Sequence, residues 1–445
     1  MFFERPELGR RAVLVTLRCS THNALPTAPD PEETRDLAIG AGLEVCACVE
    51  QTRAEPHPRL FLGAGKVDEL KSVMAAHDAN LLLLNHDVGP GQQRNLEQAL
   101  DARVMPRTEL ILHIFADRAA SHEGKLQVEL AQLRHAQTRL VRGWTHLDRQ
   151  KGGIGMRGAG ETQIEMDQRM LAERVKATSA RLATVERQRA SRRRRRERQD
   201  VPLIALVGYT NAGKSTLFNR LTEANVLAED RLFATLDPTS RQLDLPGVGP
   251  VVLSDTVGFI SQLPHSLVDA FKSTLEDVAR ADLLLHVIDV SAAEPEEQIQ
   301  AVDQVLEEID AQDVPQLRVL NKFDQLESKT VPRALLGTGR AVAISARDGT
   351  GVEELLDTLG LALRGPVTQL VVSLPPSAGR LRARLYEQGL VDAEATAADG
   401  TIRLLASLDD AQRDRLATEP GVVIQRAALS EPERALTAPL GAIGS

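Results

Sequence analysis

Short apolar runs and stretches with helical spacing alternate along the first 110 residues. The apolar runs, at residues 12–17, 43–49, 81–84 and 104–105, have the length and composition of buried strands. Between them, residues 32–41, 66–76 and 92–99 place apolar side chains three or four positions apart, as a helix does. This alternation predicts a small parallel α/β domain over residues 1–125.

The apolar positions of residues 126–199 follow a heptad-like period instead. Two series, with spacings of mostly three and four residues, indicate two long helices. The first series is Leu126, Leu130, Leu133, Gln137, Leu140 and Trp144, and the second is Ile164, Leu171, Val175, Thr178, Leu182 and Val185. A Gly-rich segment between the two series carries Arg149, Lys151 and Arg157. We therefore predict an antiparallel helical hairpin with a flexible, basic tip.

Strand-like and helix-like segments alternate again in residues 200–366. Apolar runs at 201–207, 251–255, 283–289, 318–321 and 341–345 predict a doubly wound, mostly parallel sheet. Residues 367–445 contain strand-like segments near 371–374, 401–405 and 422–426, and helix-like segments at 379–388 and 409–418. This last pattern predicts a small α+β domain at the carboxyl end, in a chain whose overall fold class is α/β.

Composition and charge narrow the functional classes. The chain has 445 residues with 42% hydrophobic and 26% charged side chains, a balance that excludes wholesale disorder. The net charge is −9, yet Lys and Arg outnumber Asp and Glu by more than two to one between Lys125 and Glu197. A basic segment in an acidic protein indicates one region that binds a polyanion. The alternative is a solvent-exposed helix face, which would carry the same charges.

No segment of the sequence indicates secretion or a membrane span. The apolar runs are far shorter than the ~20 residues that a bilayer requires, and charged residues follow Met1 almost at once. The three cysteines form no metal-ligand pattern, and Cys46 and Cys48 are interpreted as buried thiols. We therefore expect a cytoplasmic protein without an integral membrane segment, and we leave peripheral membrane association open.

A phosphate-binding loop follows the first apolar run of the third domain. Its residues match G-x-x-x-x-G-K-[ST] and lie between a predicted strand and a predicted helix, which is the context that the motif requires. Backbone N–H groups of such a loop surround the β-phosphate, the Lys binds β- and γ-phosphate oxygens, and the Ser hydroxyl is a ligand of Mg²⁺. The loop consists of Gly208, Tyr209, Thr210, Asn211, Ala212, Gly213, Lys214 and Ser215.

A D-x-x-G motif ends the next long apolar run. In this motif the Asp holds Mg²⁺ through water, and the Gly N–H contacts the γ-phosphate. The short pattern is informative here because it follows a predicted strand downstream of the phosphate-binding loop. Its residues are Asp255, Thr256, Val257 and Gly258.

Selectivity for guanine is indicated by the ends of the last two strands of this domain. A carboxylate at Asp324 can accept hydrogen bonds from the ring N–H and the exocyclic amine of guanine, a donor pair that adenine lacks. Ala346 follows the final strand, where a backbone N–H can donate to the guanine O6. The residues concerned are Asn321, Lys322, Phe323, Asp324, Ser345 and Ala346. Together the motifs predict an enzyme that binds GTP and GDP and hydrolyses GTP.

A switch loop is expected between the first two motifs. It must present a Thr hydroxyl to Mg²⁺, and Thr235 and Thr239 are both candidates. After the D-x-x-G motif stands Phe259, whose apolar side chain cannot orient water, so we expect intrinsic hydrolysis to be slow or to be completed by another group. The remaining candidate GTP contacts in the switch loop are Phe233, Ala234, Leu236 and Asp237.

The chain resembles the HflX family, ribosome-associated GTPases of the translation-factor class, over residues 30–365. The resemblance rests on segments outside the general GTPase motifs, at 62–67, 121–133, 158–163 and 233–239. It implies binding to the large ribosomal subunit, splitting or rescue of stalled ribosomes, often under stress, and Thr235 as the Mg²⁺ ligand. Pro106 stands where the family usually has Asp, which puts in question, for this chain, the ATP-related activity of some members.

Our leading hypothesis is a monomeric GTP switch whose basic hairpin tip contacts rRNA, with Mg²⁺ as cofactor and no DNA partner. K⁺ is a candidate second cofactor, because Asn211 occupies the position of the cation-ligating Asn of several potassium-activated GTPases. The second hypothesis is a tRNA-modifying GTPase, but that class needs a C-terminal Cys and none follows Cys48. The third is a GTPase timer in a non-ribosomal assembly process, which would show no dependence on RNA.

Overall fold

The computed structural model describes most of the chain as three sheets and one long helical hairpin. The described residues are 9–20, 30–143, 159–197, 201–222, 232–233, 235–246, 248–261, 275–326, 330–336, 340–364, 368–387, 389–397, 399–408 and 410–426. No helix within these ranges combines the length and the apolar character needed to cross a bilayer.

The amino-terminal sheet is fully parallel, as predicted. Its strand order is β2-β1-β3-β4, and three helices connect the strands. The first helix begins at Pro31 because the carboxylate of Asp30 accepts the N–H of Glu32, and Pro has no N–H of its own to satisfy. The elements are β1 (Arg11–Cys19), α1 (Pro31–Gly40), β2 (Glu44–Arg53), α2 (Ala64–Ala76), β3 (Leu81–Leu84), α3 (Pro90–Leu100) and β4 (Arg103–Pro106).

A fourth helix, α4 (Arg107–Arg118), is not indicated by the sequence pattern. Its apolar side chains, among them Ile111, Leu112 and Phe115, are buried on several faces of the helix. They belong to a core shared with the sheet, the hairpin and the third domain. A helix that is surrounded by protein lacks the polar face from which an amphipathic period is recognised.

The expectation of buried thiols at Cys46 and Cys48 is wrong. Cys48 is exposed and Cys46 is only half-buried. Both lie on β2, which is an edge strand of the sheet and is partly open to solvent along its length. An apolar run does not by itself distinguish an edge strand from a central one.

Two long antiparallel helices follow, α5 (His122–Gly143) and α6 (Ala159–Glu197). Leu126 and Leu130 of α5 pack against Leu182 of α6, as the two heptad-like series predict. At 1.5 Å per residue, the 39 residues of α6 extend over about 58 Å. The intervening segment, which contains Arg149, Lys151 and Arg157, lies outside the described residues.

The sheet of the third domain has the order β10-β9-β8-β5-β7-β6. All neighbouring pairs are parallel except β6 and β7. The sequence pattern misses β6 because this edge strand is mostly polar and only its last residue is buried. The strands are β5 (Leu203–Val207), β6 (Thr239–Leu245), β7 (Gly249–Asp255), β8 (Leu283–Asp289), β9 (Gln316–Asn321) and β10 (Ala341–Ala343), and the helices are α7 (Lys214–Thr222), α8 (Pro295–Glu308), α9 (Arg333–Leu336) and α10 (Val352–Arg364).

The carboxyl-terminal domain has the βαββαβ order of a ferredoxin-like fold. Its antiparallel sheet runs β12-β13-β11-β14, and two helices supply the core with Leu385 and Leu416. The sequence pattern misses β12, an edge strand whose Asp, Ala and Glu residues have low strand propensity. The elements are β11 (Thr368–Leu374), α11 (Gly379–Glu387), β12 (Val391–Thr396), β13 (Ile402–Leu408), α12 (Asp410–Ala417) and β14 (Val423–Arg426).

A continuous hydrophobic core joins the amino-terminal domain to the third domain. It contains Phe115 of α4 and Val128 of α5 together with Val207 at the end of β5. Residues of the predicted switch loop also belong to this core, so the loop is packed between the two domains. The switch-loop residues in this core are Phe233 and Leu236, and Leu232, just before the loop, belongs to it as well.

Candidate functional site

The phosphate-binding loop occupies the turn between β5 and α7, at the carboxyl edge of the sheet. Gly208 has a φ of 147°, and a Cβ on it would lie 2.3 Å from the carbonyl oxygen of Val287. Gly213 has a φ of 93°, and a Cβ there would lie 2.2 Å from the amide nitrogen of Asn321. Both positions therefore require glycine, for conformational and for steric reasons.

Lys214 is buried beneath this loop. Its Nζ donates hydrogen bonds to the carbonyl oxygens of Gly208 at 3.0 Å and Tyr209 at 2.7 Å. Burial lowers the pKa of Lys214 to about 8, and the carboxylate of Asp255 only partly offsets this effect. A phosphate group beside Nζ would favour the ammonium form, because opposite charge stabilises a buried cation.

Two hydroxyl groups and one carboxylate meet at the amino end of α7. The Oγ of Ser215 lies 2.8 Å from the Oγ1 of Thr235 and 2.7 Å from the Oδ2 of Asp255. The Oγ1 of Thr235 lies 3.2 Å from the same carboxylate oxygen. Of the two Thr candidates for the Mg²⁺ ligand, the geometry favours Thr235, because its hydroxyl belongs to this cluster. Thr239 is instead the first residue of β6.

This cluster has the oxygen ligands that a Mg²⁺ site requires. Asp255 is fully buried, and its Oδ1 has no well-aligned hydrogen-bond partner within the described residues. Burial raises the pKa of Asp255, although Ser215 and Lys214 act in the opposite direction. A divalent cation would compensate the buried negative charge, so Ser215 and Thr235 fit as direct ligands and Asp255 as a ligand through water.

The D-x-x-G segment is tied to the phosphate-binding loop through its backbone. The N–H of Thr210 donates to the carbonyl oxygen of Phe259 at 2.7 Å, and the N–H of Phe259 donates to Gly208 at 3.2 Å. A Cβ on Gly258 would lie 3.1 Å from the Nζ of Lys214, so only glycine leaves this approach open. The side chain of Phe259 is fully buried in the interdomain core, so it cannot orient an attacking water.

The predicted guanine-binding residues are also brought together. The side-chain amide of Asn321 donates to Ala212 at 2.8 Å, and its oxygen accepts the N–H of Ala346 at 2.9 Å. Asn321 therefore joins the phosphate-binding loop to the segment after β10. Asp324 lies on the exposed rim of the same edge, and Lys322 pairs with Asp289 at 2.7 Å.

Arg220 of α7 supports the guanine end of the site and is missed by sequence reasoning. Its Nε donates to the carbonyl oxygen of Ala346 at 3.2 Å, and the guanidinium also bonds to the carbonyl of Arg347. Arg220 is separated from these partners by more than a hundred residues, and no motif marks it. Arg220 therefore holds the backbone of the segment after β10, whose Ala346 N–H bonds to Asn321.

Only some of the side chains of the switch loop lie at the nucleotide site. Phe233 packs edge-on against Phe115, with ring centroids 4.7 Å apart, and Leu236 is buried in the same interdomain core. Contacts of these two residues with a nucleotide would therefore have to use the backbone. Ala234 lies outside the described residues, and Asp237 contacts the amino-terminal domain.

A buried polar cluster links the phosphate-binding loop to the amino-terminal domain. The hydroxyl of Tyr209 bonds to the carboxylate of Glu33 and accepts the N–H of Ser261 at 2.7 Å. Arg107 pairs with Glu33 at 2.9 Å and donates to the carbonyl oxygen of Ser261 at 3.3 Å. Burial and the neighbouring Glu33 raise the pKa of Tyr209, so this hydroxyl stays protonated. Sequence reasoning misses this cluster.

The fold and the site define a P-loop GTPase: along one edge, a doubly wound sheet presents a phosphate-binding loop, a candidate Mg²⁺ site and the residues predicted to bind guanine. Family models match four successive parts of the chain. They are described as GTP-binding GTPase N-terminal (residues 29–116), GTP-binding GTPase Middle Region (118–196), 50S ribosome-binding GTPase (203–322) and HflX C-terminal domain (331–428).

The chain is also similar to known proteins over most of their length. The chain is 50% identical over 404 residues to the GTPase HflX of Escherichia coli, covering 90% of this chain and 94% of the relative. It is 47% identical over 427 residues to the GTPase HflX of Magnetococcus marinus, covering 91% of this chain and 98% of that relative. A crystal structure of a GTP-binding protein from Sulfolobus solfataricus with GDP is 24% identical, with a TM-score of 0.42, and covers 79% of this chain and 98% of that one.

The chain belongs to the HflX family of GTPases. The resemblance stated from residues 30–365 is confirmed, and the family extends beyond it, because the carboxyl-terminal domain is matched as well. The third domain is the G domain, and the chain binds GTP and hydrolyses it to GDP and phosphate.

Proposed function

We propose that this GTPase acts on the large ribosomal subunit, where it splits or rescues stalled ribosomes under stress. The observation that carries the proposal is the helical hairpin, whose first helix packs into the same core as the switch loop of the G domain. A rigid arm connected in this way to the nucleotide-dependent segments is suited to a task that alternates with GTP hydrolysis. The description of the G-domain family as 50S ribosome-binding supports the same partner.

The length of the hairpin helices would allow a tip that lies far from the nucleotide. The described part of α6 alone extends over about 58 Å, and the Gly-rich tip joins it to α5. Glycine lowers the steric barrier to close backbone approach, and Arg149, Lys151 and Arg157 supply charges for phosphate groups. We infer that the tip enters the functional core of the large subunit, where it would clash with a bound tRNA.

Replacing Arg149, Lys151 and Arg157 together with Ala tests the tip. Ribosome affinity is expected to fall, and the slope of log affinity against log salt to shrink by up to about 3, because each phosphate contact releases roughly one counterion. GTP affinity should stay unchanged, since the phosphate-binding loop is untouched. Affinity for large subunits is measured by cosedimentation over a series of salt concentrations.

The matched control replaces three exposed basic residues of other surfaces, Arg59, Lys71 and Arg241, with Ala. This variant loses the same charge but keeps the tip. If the tip triple variant binds ribosomes as tightly as the control variant, the basic residues of the tip have no electrostatic role. The arm-and-tip proposal would then be abandoned.

Phe259 is buried and cannot help an attacking water, which leaves a gap in the catalytic set that a further positive charge would fill. We propose that K⁺, bound at Asn211, or the ribosome provides it. Asn211 is exposed in the phosphate-binding loop and adopts a φ of 60°, which Asn tolerates better than most residues. GTP turnover in K⁺ is expected to exceed turnover in Na⁺, or to rise with large subunits, and equal rates in all four conditions would exclude both activators.

We further propose that the protein works as a cytoplasmic monomer with rRNA as its nucleic-acid partner. The basic, Arg-rich hairpin supports an RNA partner, since the remainder of the chain is acidic. Loss of ribosome binding after treatment of the subunits with ribonuclease is the expected sign of a contact with rRNA.

A further inference from the structure

The carboxylate of Asp237, in the switch loop, lies on the amino end of the hairpin helix α5. Its Oδ2 accepts the backbone N–H of Ala120 at 2.9 Å and that of Ser121 at 2.7 Å. The hydroxyl of Ser121 donates to the other carboxylate oxygen. Asp237 thus occupies the positive end of a 22-residue helix, a location that stabilises a negative charge.

The end of α5 is shaped around this carboxylate. The Oγ of Ser121 accepts the N–H of Gly124 at 2.9 Å, so Ser121 caps the helix while it also bonds to Asp237. A Cβ on Gly124 would lie 2.2 Å from the Oδ1 of Asp237 and 3.1 Å from its Cγ. Contacts this short do not occur, so a side chain at position 124 and the observed place of Asp237 exclude each other.

Asp237 is only two residues from Thr235, whose hydroxyl lies at the candidate Mg²⁺ site. Two residues span at most about 7 Å of chain, and Leu236 between them is buried in the interdomain core. An anchor on Asp237 therefore restricts where Thr235 can lie. The same structure contains both the anchored Asp237 and the Thr235 hydroxyl 2.8 Å from Ser215.

We propose that Asp237 is a positioning residue for GTP hydrolysis: the amino end of α5 holds Asp237, and Asp237 holds Thr235 at the metal. The assignment rests on the proposed role of Thr235 as Mg²⁺ ligand and does not depend on the ribosome. Because coupling between two sites is reciprocal, closure of the switch loop around Mg²⁺·GTP also favours the anchored position of α5. The carboxylate of Asp237 thereby couples the nucleotide state to the position of the amino end of α5.

Gly124→Ala tests the proposal without altering Asp237, Thr235 or the phosphate-binding loop. Ala is a better helix former than Gly. If Asp237 had no positioning role, the substitution would therefore leave α5 unchanged or stabilise it. The positioning role instead predicts a 10- to 100-fold lower kcat, since displacement of a catalytic group by about 1 Å costs roughly that much. The Mg²⁺ concentration for half-maximal turnover should rise, while GDP affinity stays within about twofold, on the order of measurement error.

The matched control is Gly91→Ala in the first turn of α3, where a Cβ would have no neighbour within 4 Å. It should leave kcat and Mg²⁺ dependence unchanged. Asp237→Ala should reproduce the effect of Gly124→Ala, and Ser121→Ala should show it partly. Ser121→Thr, which keeps the hydroxyl, should restore turnover.

The double variant Thr235→Ala, Gly124→Ala separates the two assignments. If Asp237 acts through Thr235, the double variant is no slower than Thr235→Ala alone, because residues that act as a unit are not additive. Wild-type kcat and Mg²⁺ dependence in Gly124→Ala, or additive losses in the double variant, would overturn the positioning role. Wild-type turnover in Thr235→Ala would overturn the metal assignment and the positioning role with it, whereas absence of ribosome binding would affect only the proposed function.

Discussion

Replacing Lys214 with Ala is expected to lower GTP turnover by roughly 10²- to 10³-fold, the usual cost of removing a preorganised group that stabilises transition-state charge. The buried Nζ is held by two carbonyl oxygens of the phosphate-binding loop, so the loop fixes its position before a nucleotide binds. Phosphate release at saturating GTP gives kcat, and nucleotide titration gives the affinity. Both should fall, because the ammonium group contacts phosphate in the ground state and in the transition state.

Lys66 provides the control for this experiment. It follows Gly63, Ala64 and Gly65 and lies in the first turn of α2, so it superficially resembles the Gly-Lys pair of a phosphate-binding loop. Its Nζ instead pairs with Glu69 at 2.7 Å. Lys66→Ala should hydrolyse GTP at the wild-type rate. Equal losses in the two variants would mean that the amino-terminal loop also handles the phosphates, and the assignment of hydrolysis to Lys214 alone would be wrong.

Replacing Asp324 with Asn is expected to weaken GTP binding by about 30- to 1000-fold. We expect the carboxylate to accept two hydrogen bonds from guanine, and loss of such a charge-assisted, bidentate contact costs roughly 2–4 kcal/mol. The Asn amide presents a donor where the carboxylate presented an acceptor. Because xanthine has an oxygen in place of the exocyclic amine of guanine, the variant should bind xanthine nucleotides better than the wild type does.

Titration of GDP, ADP and xanthosine diphosphate against wild type and Asp324→Asn measures this change of preference. Asp313, in an exposed stretch before β9, provides a control replacement with Asn that should leave all three affinities unchanged. An Asp324→Asn variant with wild-type GDP affinity would show that the base is recognised elsewhere.

Central strands and the motifs at their ends could be predicted from the sequence because both are local. A fully buried strand such as β3, with four consecutive Leu residues, has an apolar run that no solvent-exposed face interrupts. The phosphate-binding loop has glycines at positions that its backbone geometry requires, so its pattern is visible without the fold. Edge strands such as β6 and β12 lack a continuous apolar run and were therefore not predicted.

The contacts between domains could not be predicted, because they join residues that are far apart in the sequence and have no motif of their own. Glu33 and Ser261 are 228 positions apart, and Asp237 and Ser121 are 116 apart. The carboxylate of Asp237, a predicted GTP contact, bonds to Ala120 and Ser121, just before α5. Only the folded chain shows that switch-loop side chains form part of the interdomain core.

The carboxyl edge of the amino-terminal sheet illustrates the same limit. In doubly wound domains this edge commonly binds a ligand, and here Arg107, next to Pro106, lies there. Its guanidinium donates to Thr34 at 2.6 Å and pairs with Glu33, and it reaches Ser261 of the G domain. These side chains are engaged with each other, so the edge serves as a contact surface for the segment that follows the D-x-x-G motif.

Cosedimentation with purified large ribosomal subunits tests the central claim of a nucleotide-controlled ribosomal switch most directly. The 445-residue chain is incubated with subunits and either a non-hydrolysable GTP analogue or GDP, and the pelleted protein is quantified. We predict saturable binding with the GTP analogue and at least tenfold weaker binding with GDP, which corresponds to a coupling of about 1.4 kcal/mol. Absence of binding with the GTP analogue, or equal binding with both nucleotides, would contradict it.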